Sequence, residues 1–390
     1  MRYSDIKTNT ARRALVGTIT ALAIVCTNNL WARATAEQVA SLGGEIYTPV
    51  GAERAGNAAG TIPEWQDGLT NPPDGDIEKN GLSDPFADEQ ELFRITAANL
   101  EEHRENLSDG QIALLQRDPD TYYLPVYPSH RISTYPKSVL DRVRESAPEA
   151  DMVPGGNGLL NLNGSTVPFP FPTEALEVVW NHITRYRGGS VERTYAQIPV
   201  QTNGAFAPIV FRDRLVFASS LEPGSVDENR LFLYMQQIMA PARLEGDILL
   251  VHENIDQKPE PRNAWVFNAG QRRVRRAPNV AYDGPGRASE GLRTADDLDG
   301  YNGAPDRYDW KLLGKHEMYI GSNAYKLYDK SLSYKDILLP GHINPEVTRY
   351  ELHRVWVVEA TLKPEARHIY GRRVFYIDED TWAISLKDQY

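Results

Sequence analysis

The residues that could do chemistry are plentiful in this chain, but few are arranged for it. Its eight histidines are scattered, and none has metal-ligand spacing. His252-Glu253 and His316-Glu317 begin like a zinc-protease helix, yet each lacks the second histidine one helical turn on. Gly188-Gly189-Ser190-Val191-Glu192 lacks the closing glycine of a hydrolase nucleophile elbow and follows a helical pattern where a strand is required. Gly155 to Gly158 and Gly284-Pro285-Gly286 are turn glycines without the strand-to-helix context of a phosphate loop. Asp74, Asp76, Glu78 and Asn80 match a calcium loop by count, but Lys79 stands where the sharp-turn glycine belongs. Asp296, Asp297 and Asp299 have the same weakness, and both acidic clusters read as solvated turns. Carboxylate pairs for glycoside chemistry cannot be assigned, because sequence fixes no separation between them. The sequence therefore nominates no catalytic residue, no metal site and no cofactor.

What stands out is apolar and aromatic. Trp265 and Phe267 alternate on one strand-like run, Trp356 and Val358 on a second, and Phe375 and Ile377 on a third. If the three strands are neighbours, these side chains share one face. That face is either an ordinary core under helices or the wall of a pocket for an apolar ligand, and both hold if helices act as a lid. Arg272, Arg273, Arg275 and Arg276 run against the overall charge. They fit a docking patch for an acidic partner, or an exposed strand edge kept from aggregating by charge.

The elements that must position these residues change character along the chain. Residues 35–164 are rich in Gly, Pro, Asn and Asp, with short helical pieces at Ala97 to His103, at Gln111 to Arg117 after a Ser108 cap, and at Tyr135 to Ser146. After a Gly- and Pro-rich connector, Thr173 opens a helix with Leu176, Val179, Trp180 and Ile183 on one face. Beyond Ser190 the β-branched and aromatic runs predict strands at Thr194–Val200, Ala207–Ala218, Leu231–Met239, Gly246–His252, Ala264–Phe267, Arg272–Arg276, Arg349–Leu362 and Ile369–Ile377. Short turns between them imply antiparallel pairing, with Trp265 to Arg276 the clearest hairpin. Pro278 to Tyr308, dense in Gly, Asp and Arg, reads as a flap over one end of the sheet.

The N-terminus gives the compartment. Arg2, Lys7, Arg12 and Arg13 precede an apolar run from Ala14 to Cys26, and Ala32-Arg33-Ala34 supplies small residues for cleavage. That is the pattern of a secretory signal peptide over residues 1–34, and its apolar run is shorter than the roughly 20 residues of a membrane span. Val25 before Cys26 argues against lipidation, and Ala11 before the arginine pair argues for general secretion over twin-arginine export. Cys26 is the sole cysteine, so cleavage leaves no disulfide or thiol chemistry. A net charge of −11 disfavours nucleic acid and anionic headgroups as partners.

Several longer motifs carry a resemblance. Thr48-Pro49-Val50-Gly51-Ala52-Glu53-Arg54-Ala55-Gly56-Asn57, Gly60-Thr61-Ile62-Pro63-Glu64-Trp65, Val126-Tyr127-Pro128-Ser129-His130-Arg131, Tyr350-Glu351-Leu352-His353-Arg354-Val355-Trp356 and Tyr376-Ile377-Asp378-Glu379-Asp380-Thr381-Trp382 follow in order along the chain. With them the sequence resembles the DUF1329 family of exported bacterial proteins, itself similar to periplasmic lipoprotein carriers of the LolA and LolB type. The resemblance implies an α+β fold, a twisted antiparallel half-barrel over residues 165–390 covered by helices around a hydrophobic cavity, with a long irregular extension over 35–164. It also implies company with RND-type inner-membrane exporters, and supplies no catalytic residues. Relatives usually run on for several dozen residues, so the sheet is expected to be incomplete at Tyr390.

Together these readings predict an exported, non-enzymatic binding protein, periplasmic or outer-membrane-associated, that carries a lipid or other hydrophobic ligand. Trp265, Phe267, Trp356, Val358, Phe375 and Ile377 are its expected wall. The alternative is an accessory or assembly factor that docks on an envelope transporter or outer-membrane protein through the arginine hairpin and carries no cargo.

Overall fold

The structure, a computed structural model, describes residues 33–70, 82–257, 259–277, 280 and 282–390. The export signal, apart from Arg33 and Ala34, and the acidic run Asp74 to Asn80 lie outside the described residues. In chain order the strands of the two large sheets are β1 (Phe93–Ile95), β2 (Leu124–Val126), β3 (Ser190–Gln197), β4 (Ile209–Phe217), β5 (Arg230–Ala240), β6 (Ile248–Asn254), β7 (Asn263–Asn268), β8 (Arg273–Arg276), β9 (Tyr308–Gly321), β10 (Tyr350–Leu362), β11 (Arg372–Asp378) and β12 (Ile384–Gln389). Among the described residues no helix is long and apolar enough to cross a membrane.

β3 to β8 form a six-stranded antiparallel meander in sequence order. The other six-stranded sheet runs β1-β2-β10-β11-β12, with β9 also paired along β10. No ladder joins the two sheets among the described residues, so the fold is mixed α/β with open antiparallel sheets. Over residues 165–390, where sequence suggested a twisted antiparallel half-barrel, the strands fall into two open sheets, separated by the excursion between β8 and β9.

β10 explains the centre of its sheet. Val355 and Val357 join Met318, Val374 and Tyr376 in one apolar cluster, while Val358 and Ala360 join Phe375 and Ile377 in another. A strand covered on both faces needs a near-continuous apolar run, which Val355-Trp356-Val357-Val358 supplies. The segment expected to be an irregular extension also contributes strands here. β1 and β2 pair with each other, and Val126 of β2 lies beside Tyr350 at the start of β10.

The helix Ala175–Thr184 sits in the largest core, against β9 and β10. Sequence suggested one apolar face; in fact every residue except Leu176 is buried. Its polar members are tolerated because each makes at least one hydrogen bond, although Glu177 Oε1 has none among the described residues. Glu177 folds back on the first turn, accepting from the Thr173 and Glu174 amides at 2.6 and 3.1 Å. Asn181 exchanges two hydrogen bonds with the Phe169 backbone, and the Trp180 indole N–H donates to Gly156 O at 2.9 Å.

Candidate ligand-binding site

The inner face of the meander is set by register. Tyr234 lies across from Val251, Gln236 from Leu249, and Leu249 from Val266, so these side chains point to one side. The segment 282–302, with Ala277 and Val280, crosses over them and brings Val280, Pro285, Arg287 and Leu298 to face them. The two surfaces form a partly open cavity of about 300 Å³, mostly apolar in lining, with Arg262, Arg287, Arg293 and Asp247 among its charged groups. Such a space is at the low end of small-ligand pockets, roughly 300–1,000 Å³.

The flap is strapped down by named groups. Arg262 on the strand side pairs with Glu253, which is 1% exposed, and donates to Val280 O at 3.0 Å and Asn302 O at 2.7 Å. Gln197 at the end of β3 donates its amide N–H to Arg287 O at 2.9 Å and accepts from Arg293 at 3.0 Å. Gly286 sits within a turn where its N–H donates to Arg293 O at 2.7 Å. A Cβ there would meet that oxygen at 2.8 Å, which explains the glycine.

The acidic residues of the flap correct an expectation. Asp296 and Asp297 are buried, not solvated. Asp296 accepts from Arg373 at 2.9 Å and lies 3.1 Å from His368 Nε2. Burial alone would raise its carboxyl, but His368 and Arg373 hold it well below the usual carboxylate range. Asp297 accepts from Lys387 at 2.6 Å, and Asp299 pairs with Arg185 at 2.8 Å and with Arg187. The cluster is a clasp that ties the flap to the other sheet and the central helix.

The six expected wall residues are not brought together. Val358 lies across from Phe375, and Trp356 from Ile377, so four of them do share a face. Val358, Phe375 and Ile377 are sealed in the core, where Phe375 packs on Tyr301 and Trp310 with ring centroids 5.5 and 5.8 Å apart. Trp356 stacks on the buried Trp382 at 6.3 Å. Trp265 and Phe267 belong to the other sheet and face away from its cavity, opposite Leu250 and Ile248. Trp265 packs edge-on against His252 at 4.9 Å. Alternation correctly pairs residues within a strand, but it does not say which sheet a strand joins. Val266, between the two nominated aromatics, is the residue that reaches the cavity. The arginines on β8 are exposed on the edge strand of the meander.

One group among the described residues has the geometry of a metal site: His353, Asp378 and Asp380. Its chemistry argues otherwise. His353 places Nδ1 3.1 Å from Asp378 and Nε2 3.1 Å from Glu351, so both ring nitrogens face carboxylates. Burial would depress this imidazole, but the two hydrogen bonds outweigh it and raise its pKa to about 10. A ring protonated on both nitrogens has no lone pair for a metal. Asp380 meanwhile takes a two-pronged contact from Arg131 at 2.8 and 2.7 Å. This is a closed ion cluster.

The chain is thus a mixed α/β protein of open antiparallel sheets with an apolar cavity under a clasped flap. It belongs to the DUF1329 family: residues 94–390 match the family described as "Protein of unknown function (DUF1329)". It is 51% identical over 376 residues to "Uncharacterized protein PA3922" of Pseudomonas aeruginosa, covering 95% of this chain and 82% of that one. Among solved structures, a DUF1329 family protein from Desulfovibrio piger aligns at 16% identity and a TM-score of 0.33, over 52% of this chain and 67% of that one. A putative outer membrane lipoprotein-sorting protein domain from Vibrio parahaemolyticus aligns at 14% identity and a TM-score of 0.36, over 55% and 71%.

Proposed function

We propose that this protein is an exported, non-enzymatic binding protein that holds a hydrophobic ligand between the meander and the flap and carries it through the periplasm toward the outer membrane. The cavity is the observation that carries this reading. Its wall is Tyr234, Leu249, Val251, Val266 and Leu298, and Trp356, Val358, Phe375 and Ile377 back the core behind it. Burial of apolar ligand surface contributes about 25 cal/mol per Å². Release follows from opening of the flap, which among its described residues is held by polar groups and by packing of Ala277, Val280, Leu298 and Tyr301 on the core, with no strand pairing to either large sheet. The signal sequence supports the compartment.

The test is native mass spectrometry with organic extraction of the full chain, exported with its signal and purified from periplasm without detergent. A stoichiometric hydrophobic ligand, lost in a folded Leu249→Trp variant that fills the cavity, is the expected result. An apo mass together with no uptake of Nile red overturns the reading.

A second reading is favoured by one feature. The exposed arginines Arg272, Arg273, Arg275 and Arg276 fit an accessory factor docking on an acidic face of an RND-type exporter or an outer-membrane protein. Reversing their charge would then abolish partner capture and leave ligand uptake intact.

A further inference from the structure

We propose that the ligand is a single-chain amphiphile with an anionic head, and that Arg287 takes the head; this rests on the binding-protein reading above. Three arginines line the cavity, and their partners separate them. Arg262 is spent on Glu253, Val280 O and Asn302, and Arg293 donates to Gln197. Arg287 differs: Nη1 and Nη2 are both shielded from solvent, and neither has a hydrogen-bond partner among the described residues. Its nearest carboxylate oxygen, on Asp247, is 3.6 Å away, too far for a hydrogen bond. The other Asp247 oxygen is already committed to the Ala269 N–H at 2.8 Å.

A buried charged donor left unmade costs about 1–3 kcal/mol or more, so this guanidinium is poised for an acceptor. Its planar fork matches the paired oxygens of a carboxylate or phosphate. The sign of the wall agrees: with Arg262 neutralised by Glu253, Arg287 and Arg293 still outnumber Asp247. Desolvation, only partly offset by Asp247, pulls the Arg287 pKa down, as expected of a cation short of counter-charge. The backbone at Arg287 is held by Gln197, so the head site is pre-positioned. A space of about 300 Å³ admits on the order of ten methylene-sized groups, taking each as roughly the volume of a water. That suits one acyl chain and not the several chains of a lipoprotein anchor.

The experiment is calorimetric titration of the full chain with dodecanoate, dodecyl phosphate and dodecanol at neutral pH. Both anions are expected to bind at least tenfold more tightly than the alcohol, and the tighter anion identifies a fatty-acid or a phosphate-type head. Arg287→Met should lower affinity for both anions far more than for dodecanol, collapsing the preference, while Arg287→Lys retains part of it. Equal affinity for dodecanol and both anions in the wild type overturns the head assignment while the cavity reading stands. That comparison needs no variant to fold. Binding of none of the three overturns the cavity reading, and the inference with it.

Discussion

His353 and His182 are both buried, yet their surroundings drive them to opposite charge states. His353 lies between two carboxylates and is held protonated, with a pKa of about 10. His182 is held neutral: burial and the nearby Arg185 lower its pKa to about 3, while its ring sits 2.8 Å from Asp299 O and accepts the Ile384 N–H at 3.1 Å. Linkage gives the signs. The raised His353 value contributes stability that is complete below the ordinary 6.5 and lost as pH rises toward 10. The depressed His182 value contributes stability that is complete above 6.5 and lost as pH falls toward 3. Urea unfolding as a function of pH should therefore show a basic limb flattened by His353→Gln and an acid limb flattened by His182→Gln. Each effect is on the order of a few kcal/mol. If His353→Gln left the basic limb unchanged, the protonated assignment would fail. In sequence these two histidines are indistinguishable, because their partners come from distant strands and loops. Arg287 is hidden for the same reason.

Among the elements, the flap is held by Arg262 as well as by its apolar packing on the core. Replacing Arg262 by Met leaves Glu253, 1% exposed, without its counter-charge and with only the Gln257 amide as partner, and removes the hydrogen bonds to Val280 and Asn302. Breaking a buried ion pair in this way costs about 3–5 kcal/mol. The expected outcome is faster proteolysis within residues 277–302 and weaker ligand retention; protease resistance equal to wild type would show that the flap is held by other means. The meander strands were legible because β-branched and aromatic residues mark them. β9 was not: Lys311, Lys315, His316 and Glu317 dilute its apolar residues, and the register shift between Leu312 and Gly314 breaks its alternation. Gly314 adopts φ +102°, a conformation that suits glycine at such a bulge. The buried helix was misjudged as one-faced because Glu177, Asn181 and His182 look solvent-seeking until their internal partners are known.

For the molecule as a whole, the question is whether residues 35–164 are a detachable extension. Their contacts say that they complete the second sheet. Ile95, Leu115 and Leu124 form one core with Tyr319 and Leu352 of β9 and β10. Buried Arg131 clamps Asp380 at the β11–β12 turn, and Arg349 of the partner region holds Glu89 at 2.7 Å and Glu351 at 2.5 Å. Removing residues 35–164 would uncover apolar surface on β9 and β10 and leave Asp380 and Glu379 buried without Arg131. Both losses are of the kind that cost several kcal/mol, against a typical total stability of about 5–15 kcal/mol. Residues 165–390 alone should therefore aggregate or lack cooperative unfolding, while the chain from Thr35 should melt in one transition by both far-ultraviolet circular dichroism and tryptophan fluorescence. A cooperative melt of 165–390 alone would instead make the N-terminal segment an accessory. The composition break near residue 164 would then mark a true domain boundary, whereas a single melt of the whole chain with no folded 165–390 fragment would make it only a change from loop-rich to strand-rich sequence.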